Sequence, residues 1–416
     1  MKVLLGVCGS IAAYKTFDLV RSYVSAGHEV KVVLSRGANE FVKPQVYKYL
    51  GALEVYNSQD DFKYPHTKSD VGTVLHIELA KWADKFVLAP LSANTLSKFA
   101  HARADDLLSS IFLAIDQAKP ILVFPAMNTK MLEHPFVQEN IDLVKKVNSL
   151  AQVEVFETMT GELACGDIGA GKLASIESIL DLTESFSAIN LKKKIVITTG
   201  ATISPLDPVR YLTNSSSGKT GYELAKNLLD KGFNVVVLSG KHSTSKLENL
   251  VSHPNFKMTR VTTTSDMYQA VHQQLDGACG YISAAAISDI EFNQSTGKLK
   301  KSVLGEGLEI IKAKDVLESV LEKNIKALKV IGFAAETDLS EKVLLEKWNR
   351  KKVDLLVGTH VHSGLTRDSN NTQGFATDGA KYSLMRDGEV TFEGHLSKKE
   401  LAQTITEEII DGQSLH

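Results

Sequence analysis

The chain has 416 residues, and its 47 Lys and Arg against 49 Asp and Glu give a formal net charge of −2. This length exceeds what one hydrophobic core usually serves and predicts two or three domains. Because the net charge is close to zero, the protein as a whole has no electrostatic field that would attract nucleic acid or anionic membranes. No apolar run approaches the ~20 residues that span a bilayer. We therefore expect a cytoplasmic protein that binds small molecules at local sites, with no nucleic-acid or membrane partner.

The first half alternates short β-branched runs with amphipathic stretches, which predicts a doubly wound α/β sheet. The predicted strands are Val3 to Val7, Glu29 to Leu34, Lys85 to Ala89 and Pro120 to Phe124. A polar segment follows Phe186, and a fresh strand begins at Ile195. We therefore place a boundary near Leu191 and predict two domains, residues 1–190 and 191–416.

Small and polar residues follow several of these strands, at the sheet edge where open α/β sheets bind ligands. Gly9, Ser10 and Ile11 form a turn into a helix, where backbone N–H groups and the helix dipole hold phosphate. The turn lacks the pattern GxGxxG, so it predicts a single phosphate site and not a dinucleotide site. Asn94 and Asn128 follow two later strands and are explained equally well as helix caps.

Two further side chains of the first half are candidates for chemistry. His76 lies among apolar residues, where a lone histidine is more often a core side chain than a catalyst. Cys165 lies in the segment ACGDIGAG, whose glycines indicate either a mobile loop carrying a proton donor or a tight turn. Cys8 and Cys279 lie on apolar strands and are predicted to belong to the core.

In chain order, the segments GSIAAYK, His76, APLSANT, PAMN and ACGDIGAG resemble the flavin-dependent cysteine decarboxylases, and specifically phosphopantothenoylcysteine decarboxylase. The resemblance covers the first half and implies a flavodoxin-like, three-layer domain with FMN and active sites formed between the protomers of a trimer. It implies that His76 serves decarboxylation, Asn128 binds the substrate carboxylate and Cys165 protonates the enethiol. The implied FMN contacts are Gly9, Ser10, Ile11, Ser35, Ser92, Asn94, Thr95 and Met127.

The second half repeats the alternation and predicts another Rossmann-like, mainly parallel sheet. Its predicted strands are Ile195 to Thr199, Asn234 to Leu238, Gly280 to Ala284, Lys329 to Phe333 and Asp354 to Val357, with helices at Gly221 to Lys231 and Asp338 to Lys352. The segment Arg386 to Glu389 between two short apolar runs predicts a β-hairpin extension, and a last helix begins at about Ser397.

A long loop follows the strand that begins at Ile195. Its end, Asn214 to Gly218, offers hydroxyl groups and backbone donors at a helix start, which suggests an anion or acyl-phosphate site. A Walker A loop is excluded because Thr213 stands where that motif requires glycine.

Lys347 and Lys351 share one helix face, where they either bind an anion together or are solvated surface lysines. Glu336, at a strand end, could hold a metal or an amine, or cap a helix.

The segments GATISPLDPVRYLTNSSSGKTG, SAAAISD, KLKK and GFAAET resemble phosphopantothenate–cysteine ligase across residues 191–410, in the CTP-dependent bacterial form fused behind the decarboxylase. The resemblance implies that CTP activates 4′-phosphopantothenate as an acyl cytidylate, which L-cysteine then attacks. It implies that Asn214 orients the acyl cytidylate, and that Mg²⁺ binds through the CTP phosphates, with Asp289 as a further candidate ligand. The implied CTP contacts are Ser283, Ala284, Ala285, Asp289, Lys298, Phe333, Lys347 and Lys351.

The two resemblances together imply a homo-oligomer, with decarboxylase trimers linked by ligase dimers, up to a dodecamer. The sequence departs from the ligase pattern at Ser288 to Ile290 and at Ala313 to Val316. Two other classes of protein fit less well. A nicotinamide oxidoreductase would need GxGxxG, which is absent from both halves, and a non-catalytic flavin-binding module would need neither Cys165 nor Lys298.

Overall fold

The computed structural model describes residues 1–63, 74–146, 152–187, 191–293, 295–300, 308–361 and 377–411. The chain divides into two compact units, residues 1–188 (unit 1) and 189–416 (unit 2). Each unit has a mainly parallel sheet between layers of helices, so the predicted α/β class is confirmed.

The large sheet of unit 1 is wholly parallel. Its strands are β1 (Lys2–Val7), β2 (Glu29–Leu34), β3 (Glu54–Asn57), β4 (Lys85–Leu91), β5 (Ile121–Pro125) and β6 (Val153–Val155). The strand order is β3-β2-β1-β4-β5-β6. This is the six-strand Rossmann order, whereas flavodoxin itself has five strands in the order 2-1-3-4-5. The order reverses between β1 and β4, and ligands bind beside such a reversal.

Helices cover both faces of this sheet because its buried strands present apolar side chains alternately to each side. On β1, Val3 and Leu5 face one core, and Leu4 faces the other. The α-helices are α1 (Thr16–Ser25), α2 (Pro44–Tyr49), α3 (Leu75–Trp82), α4 (Ala93–Ala100), α5 (Leu107–Ala114), α6 (Thr129–Leu132), α7 (Pro135–Lys146) and α8 (Ile176–Ser185). Short 3₁₀ helices span Ile11–Lys15, Ala38–Glu40 and Asp60–Lys63.

A separate antiparallel hairpin of unit 1 consists of β7 (Met159–Glu162) and β8 (Ile168–Lys172). It sits against the loop that follows β5, because the Met127 N–H donates to the Gly171 carbonyl at 3.0 Å. Gly171 has a φ of +114°, and a Cβ at this position would collide with the Met127 carbonyl oxygen. Only glycine therefore allows the hairpin to lie this close to the sheet edge.

Unit 2 has a sheet of eight strands, and the first six in spatial order are parallel. The order is β13-β12-β9-β14-β17-β18-β19-β20, and the last two strands pair antiparallel. The predicted hairpin is thus present, with Asp387 and Gly388 at φ values of +51° and +82° as a type I′ turn requires. The strands are β9 (Lys194–Thr199), β12 (Asn234–Ser239), β13 (Phe256–Arg260), β14 (Ala278–Ser283), β17 (Lys329–Glu336), β18 (Leu355–His360), β19 (Gly379–Arg386) and β20 (Glu389–Ser397).

Two cores flank this sheet as well. The α-helices are α9 (Lys219–Asp230), α10 (Thr264–Gln274), α11 (Val316–Glu322), α12 (Glu341–Lys351) and α13 (Lys398–Asp411), and a 3₁₀ helix spans Ser245–Leu250. Two small antiparallel pairs are β10 (Ile203–Pro205) with β11 (Tyr211–Thr213), and β15 (Ile290–Phe292) with β16 (Ile310–Lys312). None of the helices in the described part of either unit combines the length and apolar composition that a bilayer crossing requires.

Candidate active sites

A cavity of about 640 Å³ lies in unit 1 where β1, β4 and β5 end. The loops after these strands form its floor, and the hairpin β7–β8 supplies another wall. Its lining residues are Gly9, Ser10, Ile11, Ala12, Tyr14, Lys15, Ser92, Ala93, Ala126, Met127, Asn128, Met131, Glu162, Leu163, Ala164, Cys165, Gly171, Lys172 and Leu173. Seven of the predicted site residues are therefore brought together here: Gly9, Ser10, Ile11, Ser92, Met127, Asn128 and Cys165.

Two helix starts open into this cavity. The Ser10 hydroxyl accepts from the Ala12 N–H, and the Ser92 hydroxyl accepts from the Thr95 N–H at the start of α4, each at 3.4 Å. A Cβ on Gly9 would lie 2.9 Å from the Cα of Gly37, so glycine is needed where these two loops meet. The cap of α4 is thus Ser92, and the interpretation of Asn94 as a helix cap is wrong.

Three predicted FMN contacts do not line the cavity. Asn94 is exposed on α4, while Ser35 and Thr95 are buried beneath the loops. The Ser35 hydroxyl accepts from the Ala38 N–H at 3.2 Å, and Thr95 hydrogen-bonds the Cys8 thiol. Cys8 is fully buried, and burial raises the pKa of its thiol to about 11, which fits a core position.

Cys165 lies at the exposed tip of the β7–β8 hairpin, within reach of two polar side chains. The Asn128 amide Nδ2 lies 3.3 Å from the Cys165 Sγ, and this thiol donates to the Asp167 carboxylate at 3.4 Å. The Asn128 Oδ1 accepts from the Lys130 N–H at 2.9 Å and caps α6. The cap interpretation of Asn128 is therefore confirmed, and the same bond turns its NH₂ group toward the thiol.

His76 lies elsewhere in unit 1, on the first turn of α3, and does not line the cavity. Its Nδ1 lies 2.7 Å from the Asp61 Oδ2, and its backbone N–H donates to the Asp61 Oδ1 at 3.1 Å. The Asp61 side chain is 11% exposed and that of His76 is 26% exposed. One carboxylate thus fixes both the ring and the backbone of His76, and leaves Nε2 for another partner.

Unit 2 has a cavity of about 620 Å³ at the corresponding edge of its own sheet. It is lined by the ends of β9 and β17, by the loops after β11 and β14, and by one face of α12. The lining residues are Thr199, Thr213, Asn214, Ser215, Ser216, Ser217, Gly218, Lys219, Thr220, Ser283, Ala284, Ala285, Ala286, Ile287, Ser288, Asp289, Lys314, Asp315, Val316, Leu317, Phe333, Ala334, Ala335, Lys347, Arg350, Lys351, Thr359, Val361, Tyr382 and Lys398.

Asn214 links two of these loops. Its Nδ2 donates to the Ala286 carbonyl at 3.2 Å and lies 3.4 Å from the Ile287 carbonyl. The side chain is exposed, so its Oδ1 is accessible from the cavity. Asp289 is exposed as well, and its backbone carbonyl accepts from the Ala313 N–H at 2.9 Å. Within the described ranges, no cluster of three or more His, Cys, Asp or Glu side chains could hold a metal ion.

Each lysine on the cavity face of α12 has a carboxylate partner. Lys347 pairs with Glu336 at the end of β17, and Lys351 pairs with Asp315. The Asp315 Oδ1 also accepts from the Glu318 N–H at 2.9 Å and caps α11. Burial alone would raise the pKa of Asp315, but this N–H and Lys351 lower it below its usual value. With 15% exposure of its side chain, Lys351 is not a solvated surface lysine.

The two halves match different family models. Residues 1–187 match the Flavoprotein family, and residues 191–412 match the DNA/pantothenate metabolism flavoprotein C-terminal domain. The chain is 36% identical over 365 residues to the Coenzyme A biosynthesis bifunctional protein CoaBC of Vibrio vulnificus strain YJ016, with 86% of each chain covered. It is 35% identical over 404 residues to CoaBC of Bacillus subtilis strain 168, covering 94% of this chain and 95% of that one.

The chain belongs to the CoaBC family. It is therefore a bifunctional enzyme of coenzyme A biosynthesis with decarboxylase and ligase activities, as the two sequence resemblances predicted. Among solved structures, a PPC decarboxylase mutant complexed with pantothenoylaminoethenethiol is 34% identical, covers 44% of this chain and 95% of its own, and has a TM-score of 0.39.

Among the predicted CTP contacts, Lys298 is the one that does not line the cavity of unit 2. Lys298 is exposed. Its segment is attached instead to the β10–β11 loop, because the Leu299 N–H donates to the Asp207 carboxylate at 3.2 Å. The neighbouring Lys301 of the KLKK segment lies outside the described residues.

Sequence reasoning missed several polar residues near the two sites. Asp61 and Asp167 contact His76 and Cys165, and Asp315 contacts Lys351. Only Asp167 had a local cue, as a carboxylate two residues after a thiol in a glycine-rich turn. The remaining cations of the unit 2 cavity are Lys219, Lys314, Arg350 and Lys398.

Proposed function

We propose that residues 191–416 join L-cysteine to 4′-phosphopantothenate with CTP, and that residues 1–190 decarboxylate the product with FMN to 4′-phosphopantetheine. The observation that carries the assignment of unit 1 is the 3.3 Å contact between the Asn128 amide and the Cys165 thiol at the mouth of a cavity in a Flavoprotein-family unit. A purely flavin-binding module has no need of this pairing.

The unit 1 cavity fits FMN. Two helix starts offer N–H groups to one phosphate, and Ile11, Met127 and Leu173 offer apolar surface to a flat ring system. The sequence of this half has no GxGxxG turn for the pyrophosphate of FAD. When bound, FMN accepts electrons from the substrate's cysteinyl thiol group and later returns them to the decarboxylated product.

The protein's own residues then place the substrate and move its protons. The Asn128 Oδ1 is occupied by the Lys130 N–H, so its NH₂ group is the part that can donate to the carboxylate that leaves as CO₂. Cys165 gives its proton to the enethiol carbon, and Asp167 holds the thiol in position until that step. Loss of CO₂ precedes this protonation, which makes the two steps separable.

His76 serves the decarboxylation step from a neighbouring protomer in this proposal. Its position outside the cavity of its own chain supports that arrangement, as does the contact of Asp61 with Nδ1, which leaves Nε2 for another partner. We therefore propose a cytoplasmic homo-oligomer in which decarboxylase trimers are linked by ligase dimers. Light scattering coupled to gel filtration tests this assembly, and a monomeric, active enzyme would contradict it.

In unit 2 the 4′-phosphopantothenate carboxylate attacks the α-phosphorus of CTP and releases pyrophosphate, after which the cysteine amine attacks the acyl carbon and releases CMP. The contacts of Lys347 and Lys351 with acids on neighbouring elements support the position of the triphosphate, because both cations are already held over the cavity. Mg²⁺ bound through the phosphates supplies the remaining charge neutralisation. Asn214 orients the acyl cytidylate, and Lys298 contributes to CTP binding once its segment reaches the nucleotide.

The proposal is tested with the purified full-length protein, 4′-phosphopantothenate, cysteine, CTP and Mg²⁺. We expect pyrophosphate, CO₂ and 4′-phosphopantetheine, a yellow protein, and release of FMN on denaturation. ATP in place of CTP is the nucleotide control. Protein that stays colourless and inactive with added FMN would remove the decarboxylase assignment, and flavin binding without turnover would favour a regulatory module.

A further inference from the structure

A group of buried hydroxyl side chains lies behind the loop that carries Asp289 in unit 2. Its members are at most 6% exposed, and they are Thr202, Ser204, Thr264 and Ser288. Thr202 precedes β10 and Ser204 lies on that strand. Thr264 begins α10, and Ser288 lies directly before Asp289 in the loop after β14. Three parts of the chain that are distant in sequence therefore meet here, and we name these four residues the hydroxyl cluster.

Two threonines of the hydroxyl cluster bind the backbone of Ser288 on both sides. The Ser288 N–H donates to the Thr202 hydroxyl at 3.0 Å, and the Thr264 hydroxyl donates to the Ser288 carbonyl at 3.3 Å. The two threonine hydroxyls lie 3.2 Å apart. Because a hydroxyl has only one proton to donate, Thr202 donates to Thr264 when all three bonds form. Ser288 is thus held in a closed ring of hydrogen bonds with one arrangement of protons.

The carbonyl groups of the next two residues are bound as well. The Asp289 carbonyl accepts from the Ala313 N–H at 2.9 Å. The Ile290 carbonyl lies 2.6 Å from the Ser204 hydroxyl and 2.8 Å from the Ser288 hydroxyl, and a carbonyl oxygen can accept from both. Ser288 and Ala313 belong to the two segments in which the sequence departs from the ligase pattern. These two segments therefore contact each other around Asp289.

The side chain of Asp289, in contrast to its backbone, is exposed and lines the cavity. Since the backbone on both sides of this residue is fixed, little conformational freedom is lost when a ligand binds to the carboxylate. An ionised carboxylate only accepts hydrogen bonds, and it repels phosphate groups. It therefore suits the hydroxyl or amino groups of a nucleoside.

We propose that Thr202 and Thr264 are positioning residues that hold the Asp289 carboxylate against the nucleoside part of CTP. This rests on the proposed function of unit 2. Neither threonine lines the cavity, so both act through the backbone of Ser288. Loss of either hydroxyl leaves a buried backbone group of Ser288 without its partner, and the loop must shift to satisfy it. The shift changes the position of Asp289 and thereby weakens CTP binding.

The test uses pyrophosphate-release assays of the full-length enzyme at saturating Mg²⁺. Thr264→Val keeps the shape of the side chain but removes its hydroxyl. It should raise KM for CTP about fivefold, as for loss of one neutral hydrogen bond. Values of kcat and of KM for 4′-phosphopantothenate should stay unchanged. Thr264→Ser retains the hydroxyl and should restore the KM for CTP.

The residue before Thr264 provides a matched control. The Thr263 hydroxyl caps α10 by accepting from the Asp266 N–H at 3.1 Å. Thr263→Val removes this cap and should lower the midpoint of thermal unfolding. The Ser288 contacts remain, so KM for CTP should equal that of the parent enzyme.

A double variant separates positioning from a general loss of stability. Asp289→Ala should raise KM for CTP by about tenfold or more, as for loss of a hydrogen bond to a charged group. Adding Thr264→Val to Asp289→Ala should cause no further rise, because the carboxylate that the threonine positions is absent.

Three outcomes would overturn the inference. One is a parent-like KM for CTP in folded Thr264→Val. Another is an independent effect of Thr264→Val in the Asp289→Ala background, which would show that the threonine acts elsewhere. The third is an equal rise in Thr263→Val, which would show an effect of stability alone. If Thr264→Val does not fold, Thr202→Val decides by the same criteria. Parent enzyme that releases no pyrophosphate from CTP would instead refute the proposed function itself.

Discussion

The two cavities are of similar size and lie at equivalent edges of two Rossmann-like sheets, yet they differ in charge. The unit 1 cavity is lined by Lys15, Lys172 and Glu162 as its only charged residues among those described. The unit 2 cavity is lined by six cations and two acids. In the proposed function, unit 1 relies on a bound cofactor and needs placement and a proton donor, whereas unit 2 handles three phosphates and a phosphate monoester and needs fixed positive charge. The same architecture therefore supports both kinds of chemistry through its loops.

The substitution with the largest expected effect on one cavity alone is at Cys165 of unit 1. Cys165→Ser should lower the rate of 4′-phosphopantetheine formation by about 1,000-fold, within the range for a positioned proton donor. CO₂ release should persist, and an oxidised, decarboxylated intermediate should accumulate in mass spectra. Pyrophosphate release in unit 2 should be unchanged. Cys279→Ser removes a thiol of unit 2 and serves as the control; a normal product yield from Cys165→Ser would contradict the assigned role.

In unit 2 the corresponding change is Asn214→Ala. Because Asn214 is proposed to hold the acyl cytidylate, we expect pyrophosphate release to continue while attack by cysteine slows roughly 100-fold, as for loss of a group that positions the reacting atoms. Single-turnover reactions with labelled CTP and mass detection of 4′-phosphopantothenoyl-CMP measure both steps. Lys298→Gln should instead block the first step. If Lys298→Gln accumulates the intermediate and Asn214→Ala forms none, the two roles are reversed.

The Asp61 carboxylate allows a sharper test of unit 1. Asp61→Asn keeps the shape of the side chain but removes the charge that fixes His76, so CO₂ release should slow about tenfold or more. His76→Asn should slow it further, and the pH profile of kcat should change in both variants, which a purely structural role would not cause. Asp60→Asn, one residue earlier, is the control. Equal rates in Asp61→Asn and the parent enzyme would remove Asp61 from the mechanism.

A smaller effect is expected at Lys351. Lys351→Met should raise KM for CTP by about tenfold, since the Asp315 partner already occupies part of the cation's bonding capacity. The rate of decarboxylation of added 4′-phosphopantothenoylcysteine should stay the same, because that reaction is proposed to take place in the unit 1 cavity. Lys342→Met, on the same helix but exposed, should leave KM unchanged. A loss of decarboxylation in Lys351→Met would argue against separate sites.

Sequence reasoning located the parts of both sites that lie close to strand ends. Strands such as β2 and β9 are rich in β-branched residues, so they are found from the sequence, and the loops that follow them are located with them. The edge strand β3, with all four residues half-buried, and β13, with a largely exposed pattern, lack the apolar signal and were missed. The contacts of His76 with Asp61 and of Lys351 with Asp315 were missed for another reason. They join residues 15 and 36 positions apart, and only the folded chain brings such residues together.

The smallest expected effect is a pH dependence of substrate binding in unit 2. The pKa of Lys398 is lowered to about 8, so the ammonium is charged below that pH and neutral above it in the free enzyme. Lys219 and Glu223 on α9 and Asp378 before β19 are the charged groups that influence it. Lys398 lines the unit 2 cavity, and the proposed substrates 4′-phosphopantothenate and CTP are both anions, so binding beside Lys398 should draw a proton onto its amine. KM for at least one of these two substrates should therefore rise above pH 8, by at most about tenfold per pH unit. Lys398→Met should abolish this rise. KM values for both substrates that are flat between pH ~7 and ~9.5 in the parent enzyme would mean that Lys398 does not exchange its proton on binding.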